Sequence, residues 1–173
     1  FQREKTGRGQ RVTCAMQDAV LNLCRVKLRD QQRLAAGPLE QYPQYPNGSF
    51  GASVPRAGNA SGGGQPGGAV RTKGGGPNDY IYVYTSRANP EHWKRLLQVI
   101  GRQDLIGDAR YESPAARMQH ETVIHALVSD WTKQHDKHEA MRLLGGAGIP
   151  AGAVLDTKEL IDDPTLHDRG ILQ

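Results

Sequence analysis

The reading of this chain turns on Arg56-Ala57-Gly58-Asn59-Ala60-Ser61-Gly62-Gly63-Gly64-Gln65-Pro66-Gly67-Gly68, closely followed by Gly74-Gly75-Gly76-Pro77. Adjacent glycines lose much backbone entropy on folding and bring no side chain to a core. Such a run is either a flexible spacer or a loop whose backbone must come close to a ligand. Plain linkers are built from glycine and serine, whereas Asn59 precedes this run and Gln65-Pro66 interrupts it. The composition leans towards a working loop and leaves the spacer open.

Upstream of the run the sequence is basic and helical. Residues 1–35 hold eight arginines and lysines against three acidic residues, although the net charge of the whole chain is only +4. Gly7-Arg8-Gly9-Gln10 predicts a turn, Arg11-Val12-Thr13-Cys14 a short strand, and Met16 to Leu34 one long helix. Val20, Leu23, Cys24 and Leu28 supply the apolar stripe of that helix, extended by Met16 and Ala19. Arg25, Arg29 and Arg33 recur every four residues on another face, and Gly37-Pro38 ends the helix. The basic face is either solvated or attracts an anionic cofactor, a nucleic acid or an acidic partner. Cys14 and Cys24 have no zinc-site spacing, and their apolar neighbours predict buried, unreactive thiols.

Residues 38–79 show no periodicity. The Tyr42-Pro43 and Tyr45-Pro46 pairs read as extended chain, and Asn47-Gly48 as a turn. A structureless run of that length predicts a crossing between two bodies or a functional loop. Downstream the pattern becomes mixed α and β. Tyr80-Ile81-Tyr82-Val83-Tyr84 predicts a strand with Ile81 and Val83 on one face. Asn89-Pro90 opens a helix whose stripe is Trp93, Leu96, Leu97 and Ile100, and Gly101 ends it. Ser113-Pro114 opens another, with Val123, Ile124, Leu127, Val128 and Trp131 buried. Asp136 with Glu139, and Asp156 with Glu159, have capping-box spacing on either side of a strand from Ile149 to Val154.

Several chemistries are absent from the sequence. Lys73 follows Arg71-Thr72 and precedes Gly74, so no phosphate-binding Gly-Lys-Ser/Thr loop is present. The glycine run follows coil rather than a strand, and Pro66 discourages a helix after it, which excludes a dinucleotide fingerprint. No Gly-x-Ser-x-Gly elbow occurs. His135 and His138 flank a competing lysine and read as surface or capping residues, so no metal site is expected. What remains is a backbone cradle of glycine N–H groups for an oxyanion or carboxylate, with Gln65 as a side-chain donor. No signal peptide, lipidation motif or apolar run of membrane-spanning length is visible, which predicts a soluble cytoplasmic protein without a membrane partner. The chain opens on Phe1 without an initiator methionine and is expected to be a piece of a longer one.

The block from Met16 to Leu34 resembles a segment of the formyl-CoA:oxalate CoA-transferases, within the class III CoA-transferase family. So do Tyr42-Pro43-Gln44-Tyr45-Pro46-Asn47-Gly48, Val54-Pro55-Arg56, and Gly58-Asn59-Ala60 leading to Gly62-Gly63-Gly64-Gln65-Pro66-Gly67. Tyr80-Ile81-Tyr82, Asp136-Lys137-His138-Glu139-Ala140 and Ile149-Pro150 continue in register.

The resemblance implies an α/β fragment of a two-domain protein. Residues 1–36 would close a portion of a large, doubly wound CoA-binding domain. Residues 37–76 would be linker and active-site loop, and 77–173 a small α/β domain. It implies an interlaced homodimer that takes coenzyme A thioesters as substrates and holds no permanent cofactor. The family reaction moves coenzyme A from formyl-CoA to oxalate, through an aspartyl anhydride and an aspartyl-CoA thioester. By this resemblance the nucleophilic aspartate lies upstream of Phe1, so no catalytic residue is expected among these residues. Gly62, Gly63, Gly64 and Gln65 would close over the acyl intermediates and contact the carboxylate substrate, with Met16 as a wall of the acyl pocket. Two departures stand out: Ser61 replaces a glycine of the family loop, and Gly68 replaces a tryptophan. They leave open another donor or acid, such as acetyl-CoA with oxalate. A non-enzymatic module that binds nucleic acid or a partner through the basic helix is the reading from a different class. The basic helix lacks an accompanying aromatic platform, so nucleic acid is not an expected partner.

Overall fold

The computed structural model of the chain describes residues 2–36, 52–54, 58, 59 and 64–172. It divides into two units, one comprising Phe1–Leu39 with Ser49–Pro55, the other Glu40–Gly48 with Arg56–Gln173. Tyr42-Pro43, Tyr45-Pro46 and Asn47-Gly48 lie outside the described residues.

The first unit is helical, with α1 (Gln2–Thr6), α2 (Met16–Leu23) and α3 (Arg25–Leu34). The strand expected at Arg11–Cys14 is not there, because a single strand has no ladder to join and this unit offers no other among its described residues. The long helix is broken at Cys24, whose ψ of 1° leaves the helical region. Its N–H bonds back to Leu21 O at 2.9 Å, a three-residue step that interrupts the four-residue ladder. Asparagine and cysteine are weak helix formers, and Asn22 and Cys24 sit at this point. The predicted stripe is open to solvent: Met16 is 86% and Leu23 77% exposed, and both cysteines are exposed rather than buried. An amphipathic helix buries its stripe only where another layer covers it, and no described residue of this unit does so. Gln31 is the ordering contact. Its amide donates to Ala52 O and accepts from Val54 N, both at 2.8 Å, and so pins the 52–54 segment to α3.

The second unit is built on an antiparallel sheet of order β1-β2-β3, with β1 at Gly64–Arg71, β2 at Tyr80–Ser86 and β3 at Ala151–Ala153. β2 behaves as its alternation predicts, with Ile81, Val83 and Thr85 buried on one face. β1 departs from the linker and loop expected over residues 37–76. The ladder with β2 runs from Arg71↔Tyr80 up to Gly64↔Ser86, so the sheet begins upstream of residue 77. Glycine weakens a strand because it packs nothing. Here the central, paired β2 supplies the order that β1 lacks.

Helices cover the buried face. α4 (Glu91–Val99) contributes Trp93, Leu96 and Leu97, and a 3-10 turn (Gln103–Leu105) adds Leu105. Asn89 Oδ1 accepts from Glu91 N, although the N-cap itself is Pro90, one residue later than expected, and Gly101 at φ +72° ends the segment. The helix expected after Ser113 is two helices, α5 (Pro114–Gln119) and α6 (Glu121–Thr132), which meet at His120. Ser113 Oγ caps α5 by accepting from Ala116 N. Ile124 and Val128 are fully buried, Leu127 and Trp131 pack at the edge of the core, and Val123 points outward at 46% exposure. α7 (Lys137–Gly146) brings Ala140 and Leu144. It ends at Gly146 in the Gly145-Gly146 pair, and Gly148 at φ +75° turns the chain beyond it. Its capping box is half made: Asp136 accepts from His138 N and Glu139 N, but Glu139 turns to His135.

After β3 come α8 (Thr157–Asp162) and α9 (Pro164–Asp168), and the Asp156–Glu159 box of α8 is complete. Glu159 also accepts from the buried Lys137 Nζ at 2.5 Å and lies 2.7 Å from His138 Nε2. The Lys137 bond above all, then the Asp156 N–H and His138, hold the Glu159 carboxyl down at about 2. No helix among the described residues is long and apolar enough to cross a membrane.

Candidate active site

The described part of the glycine run is the first half of β1. A bulge between Gly64 and Gly67 shifts the register there, and the Gln65–Pro66 bond is cis. A bulge bends the strand and re-aims its side chains. Tyr84 N bonds to Pro150 O and Val154 N to Tyr80 O, so the even-numbered residues of β2 face β3 and the odd ones face β1. Among the described residues no strand lies beside the opposite edge of β1. Side chains and one backbone carbonyl close it instead.

Arg117 Nε, on α5, donates to Gln65 O at 3.0 Å. The side chain of Asn59 donates to Ala69 O and accepts from Ala69 N, both at 2.7 Å, as a neighbouring strand would. Thr132 Oγ1, at the end of α6, donates to Arg71 O at 2.7 Å, and Lys73 N reaches His135 O at 2.8 Å. On the inner side Thr85 Oγ1 donates to Pro66 O at 3.2 Å. His125 Nε2 sits 3.4 Å from both Ala69 O and Asn59 Nδ2.

These contacts frame a small cleft lined by Asn59, Gln65, Gly67, Gly68, Glu121 and His125, among others. Gln65 is nearly buried, yet its side-chain amide makes no hydrogen bond with any described residue. It is not among the fully buried polar groups without a partner, so the amide is open to the cleft. Gly68 has no room for a side chain: a Cβ there would lie 2.8 Å from Asn59 O and 2.9 Å from Asn59 Oδ1.

Of the residues implicated by sequence, Gly64 opens β1 and Gln65 follows it into the cleft. Gly62 and Gly63 lie outside the described residues, as does Ser61. Met16 is the exposed first residue of α2 in the other unit. Among the described residues no group of three or more histidines, cysteines, aspartates or glutamates is placed to hold a metal ion. His138 is engaged with Glu159, while His135 lies 3.3 Å from Glu139 and rests its ring 4.4 Å from that of Trp131. In the basic ladder Arg25 bonds to Asn22 O and Arg29 to Asp30, so two of its three arginines are engaged locally.

Sequence reasoning missed Arg117, Thr85 and Thr132. Their partners are backbone carbonyls up to 61 residues away, which no local pattern displays. Asn59 stands out in the sequence as the polar residue ahead of the run, with no partner indicated. Its tie to Ala69 closes a ten-residue span, within the range a sequence could suggest but not specify.

The fold is that of the CaiB/BaiF proteins. A crystal structure of a CAIB/BAIF family protein from Brucella suis matches with a TM-score of 0.65 at 23% identity, over 98% of this chain and 39% of that one. Rv3272 from M. tuberculosis matches with a TM-score of 0.63 at 22% identity, over 98% of this chain and 37% of that one. The model of CoA-transferase family III, in turn, matches residues 1–173, and the chain belongs to that family. Two of its similar relatives are the formyl-CoA:oxalate CoA-transferases of Streptomyces avermitilis and Escherichia coli O157:H7, each 53% identical over 166 and 171 residues. The alignments take in 96% and 97% of this chain. The chain spans 39% and 40% of the length of those relatives.

Proposed function

We propose that the protein containing this chain transfers coenzyme A from formyl-CoA to oxalate, releasing formate and oxalyl-CoA. The observation that supports this most is 53% identity, along nearly the whole chain, to proteins named for that reaction. In this reading an aspartate outside residues 1–173 attacks the formyl thioester and expels the CoA thiolate, giving a mixed anhydride. The thiolate attacks the aspartyl carbonyl, formate leaves, and an aspartyl-CoA thioester remains. Oxalate then attacks that thioester, and the expelled thiolate takes the oxalyl group from the resulting anhydride. Splitting one transfer into several easier ones is what lets a carboxylate serve as nucleophile.

The residues of this chain bind and orient. Gln65 offers its unengaged amide to the acceptor carboxylate, beside the backbone of Gly64. Gly62 and Gly63 shield the acyl intermediates from water, and Met16 lines the acyl pocket. Coenzyme A thioesters enter as substrates, no cofactor is held permanently, and the working protein is a cytoplasmic, interlaced homodimer.

The test is an assay of the full-length protein for oxalyl-CoA formation from formyl-CoA, with a panel of other donors and acids. Robust transfer to other carboxylates with none to oxalate rejects the substrate. Gly68 is the observation that favours a variant acid. By the resemblance, close members carry tryptophan at this position, and Asn59 occupies the space a Cβ at Gly68 would need.

A further inference from the structure

Arg117 is the only buried arginine among the described residues, at 3% exposure. Its guanidinium forms no described ion pair with a carboxylate. It donates instead to three backbone carbonyls: Gln65 O at 3.0 Å from Nε, and Tyr111 O at 2.7 Å and Glu112 O at 2.9 Å from Nη1. Its Cζ lies 5.1 Å from the centre of the Trp93 ring. Burial pulls its pKa below the ordinary guanidinium value, partly offset by the Glu112 charge.

Taking a cation out of water to serve neutral acceptors is costly, and apolar replacements of buried ionic groups are often as stable or more so. Stability alone is therefore a poor reason for an arginine here. Its geometry gives a better one. The rigid fork of donors ties the entrance of β1 to the segment that precedes α5, something a single-point donor cannot do. On the far side of the same residue pair, Thr85 Oγ1 holds Pro66 O. Two successive carbonyls, Gln65 O and Pro66 O, are thus fixed, and the direction of the Gln65 Cα–Cβ bond is fixed with them. The side-chain amide beyond that bond is the unengaged one in the cleft.

We propose that Arg117 is a positioning residue that aims the Gln65 amide at the acceptor carboxylate. This rests on the role given to Gln65 above. It adds a residue that touches no substrate yet sets affinity for one of the two substrates.

The experiment uses the full-length protein and two variants, Arg117→Lys and Arg117→Met. Steady-state kinetics are run with whichever acid the wild type accepts, oxalate in the reading above. Loss of one well-placed hydrogen bond to a charged group predicts that KM for the acid rises about tenfold, while KM for the acyl-CoA donor moves by less than about twofold. Arg117→Lys retains charge and should lie between wild type and Arg117→Met. The same substitutions in a Gln65→Ala background separate aiming from general support: if Arg117 acts through Gln65, they raise KM for the acid no further there. Equal effects on both substrates, or effects that multiply with Gln65→Ala, overturn the proposal. Hydrogen exchange supplies a readout independent of turnover. Residues 64–68 should exchange about tenfold faster in Arg117→Lys while residues 81–83 keep wild-type protection. Unchanged exchange at 64–68 refutes the clamp whatever the substrate proves to be. A wild type that transfers to no acid rejects the function proposed above and leaves exchange to decide the clamp.

Discussion

Replacing Gly68 by alanine tests how the open edge of β1 is held. The new Cβ would meet Asn59 O at 2.8 Å and Asn59 Oδ1 at 2.9 Å, against about 3.4 Å for ordinary contact. Residue 59 must therefore retreat by roughly 0.6 Å, and one of the partners in the way is backbone, which cannot rotate aside. Its side chain is meanwhile tied to Ala69 by two bonds of 2.7 Å. A retreat of that size stretches both towards the limit of useful geometry. At about 0.5–1.5 kcal/mol net for each bond, Gly68→Ala should cost about 1–3 kcal/mol in the wild-type background. Once Asn59→Ala has removed the tie, little is left to break, and alanine regains part of the entropy that glycine loses in a strand. The penalty of Gly68→Ala should then fall by about 1–2 kcal/mol. Urea unfolding of the wild type, the two single variants and the double variant at constant m-value measures the coupling. Additive penalties, within about 0.5 kcal/mol, would refute the idea that Asn59 and Gly68 are one structural unit.

Two further outcomes are expected. The Glu159 carboxyl titrates at about 2 against an ordinary value of 4.5, so it stabilises the fold fully above pH 4.5, and that stabilisation is lost as pH falls from 4.5 towards 2. Glu159→Gln should flatten the decline of melting temperature across that window; an unchanged acid limb would show that the contacts to Lys137 and His138 contribute nothing. Cys14 and Cys24 are both exposed, and in the 173-residue chain they should react with a thiol reagent as fast as a free cysteine does, without denaturant. Protection of either one would mean that the first unit covers its apolar stripe after all.

The parts of the fold written in local code were legible. Ile81 and Val83 alternate with tyrosines, Trp93, Leu96 and Leu97 fall on one helical face, and Ser113, Asp136 and Asp156 mark helix starts that the structure confirms. β1 was not legible, because its order comes from β2 and from Asn59, Arg117 and Thr132 rather than from its own glycines. The stripe from Met16 to Leu28 falls on one face as its spacing predicts, but Cys14 and Cys24, expected to be buried, are exposed. Periodicity shows that a helix has an apolar face; it cannot show what covers it. For the site, Gln65 was legible as a polar intrusion into the glycine run, whereas the residue that holds its carbonyl is 52 positions away.

The edge of β1 has one more consequence. An unpaired strand edge invites other chains to add to it, and proteins commonly discourage this with charges, bulges or coverings. Here the outward groups of Gln65, Ala69, Arg71 and Lys73 are occupied by Arg117, Asn59, Thr132 and His135. An incoming strand would have to evict four separate partners from three different segments before it gained a ladder. The sheet can therefore be extended on that side only by dismantling the cleft, which makes resistance to aggregation and integrity of the cleft one property.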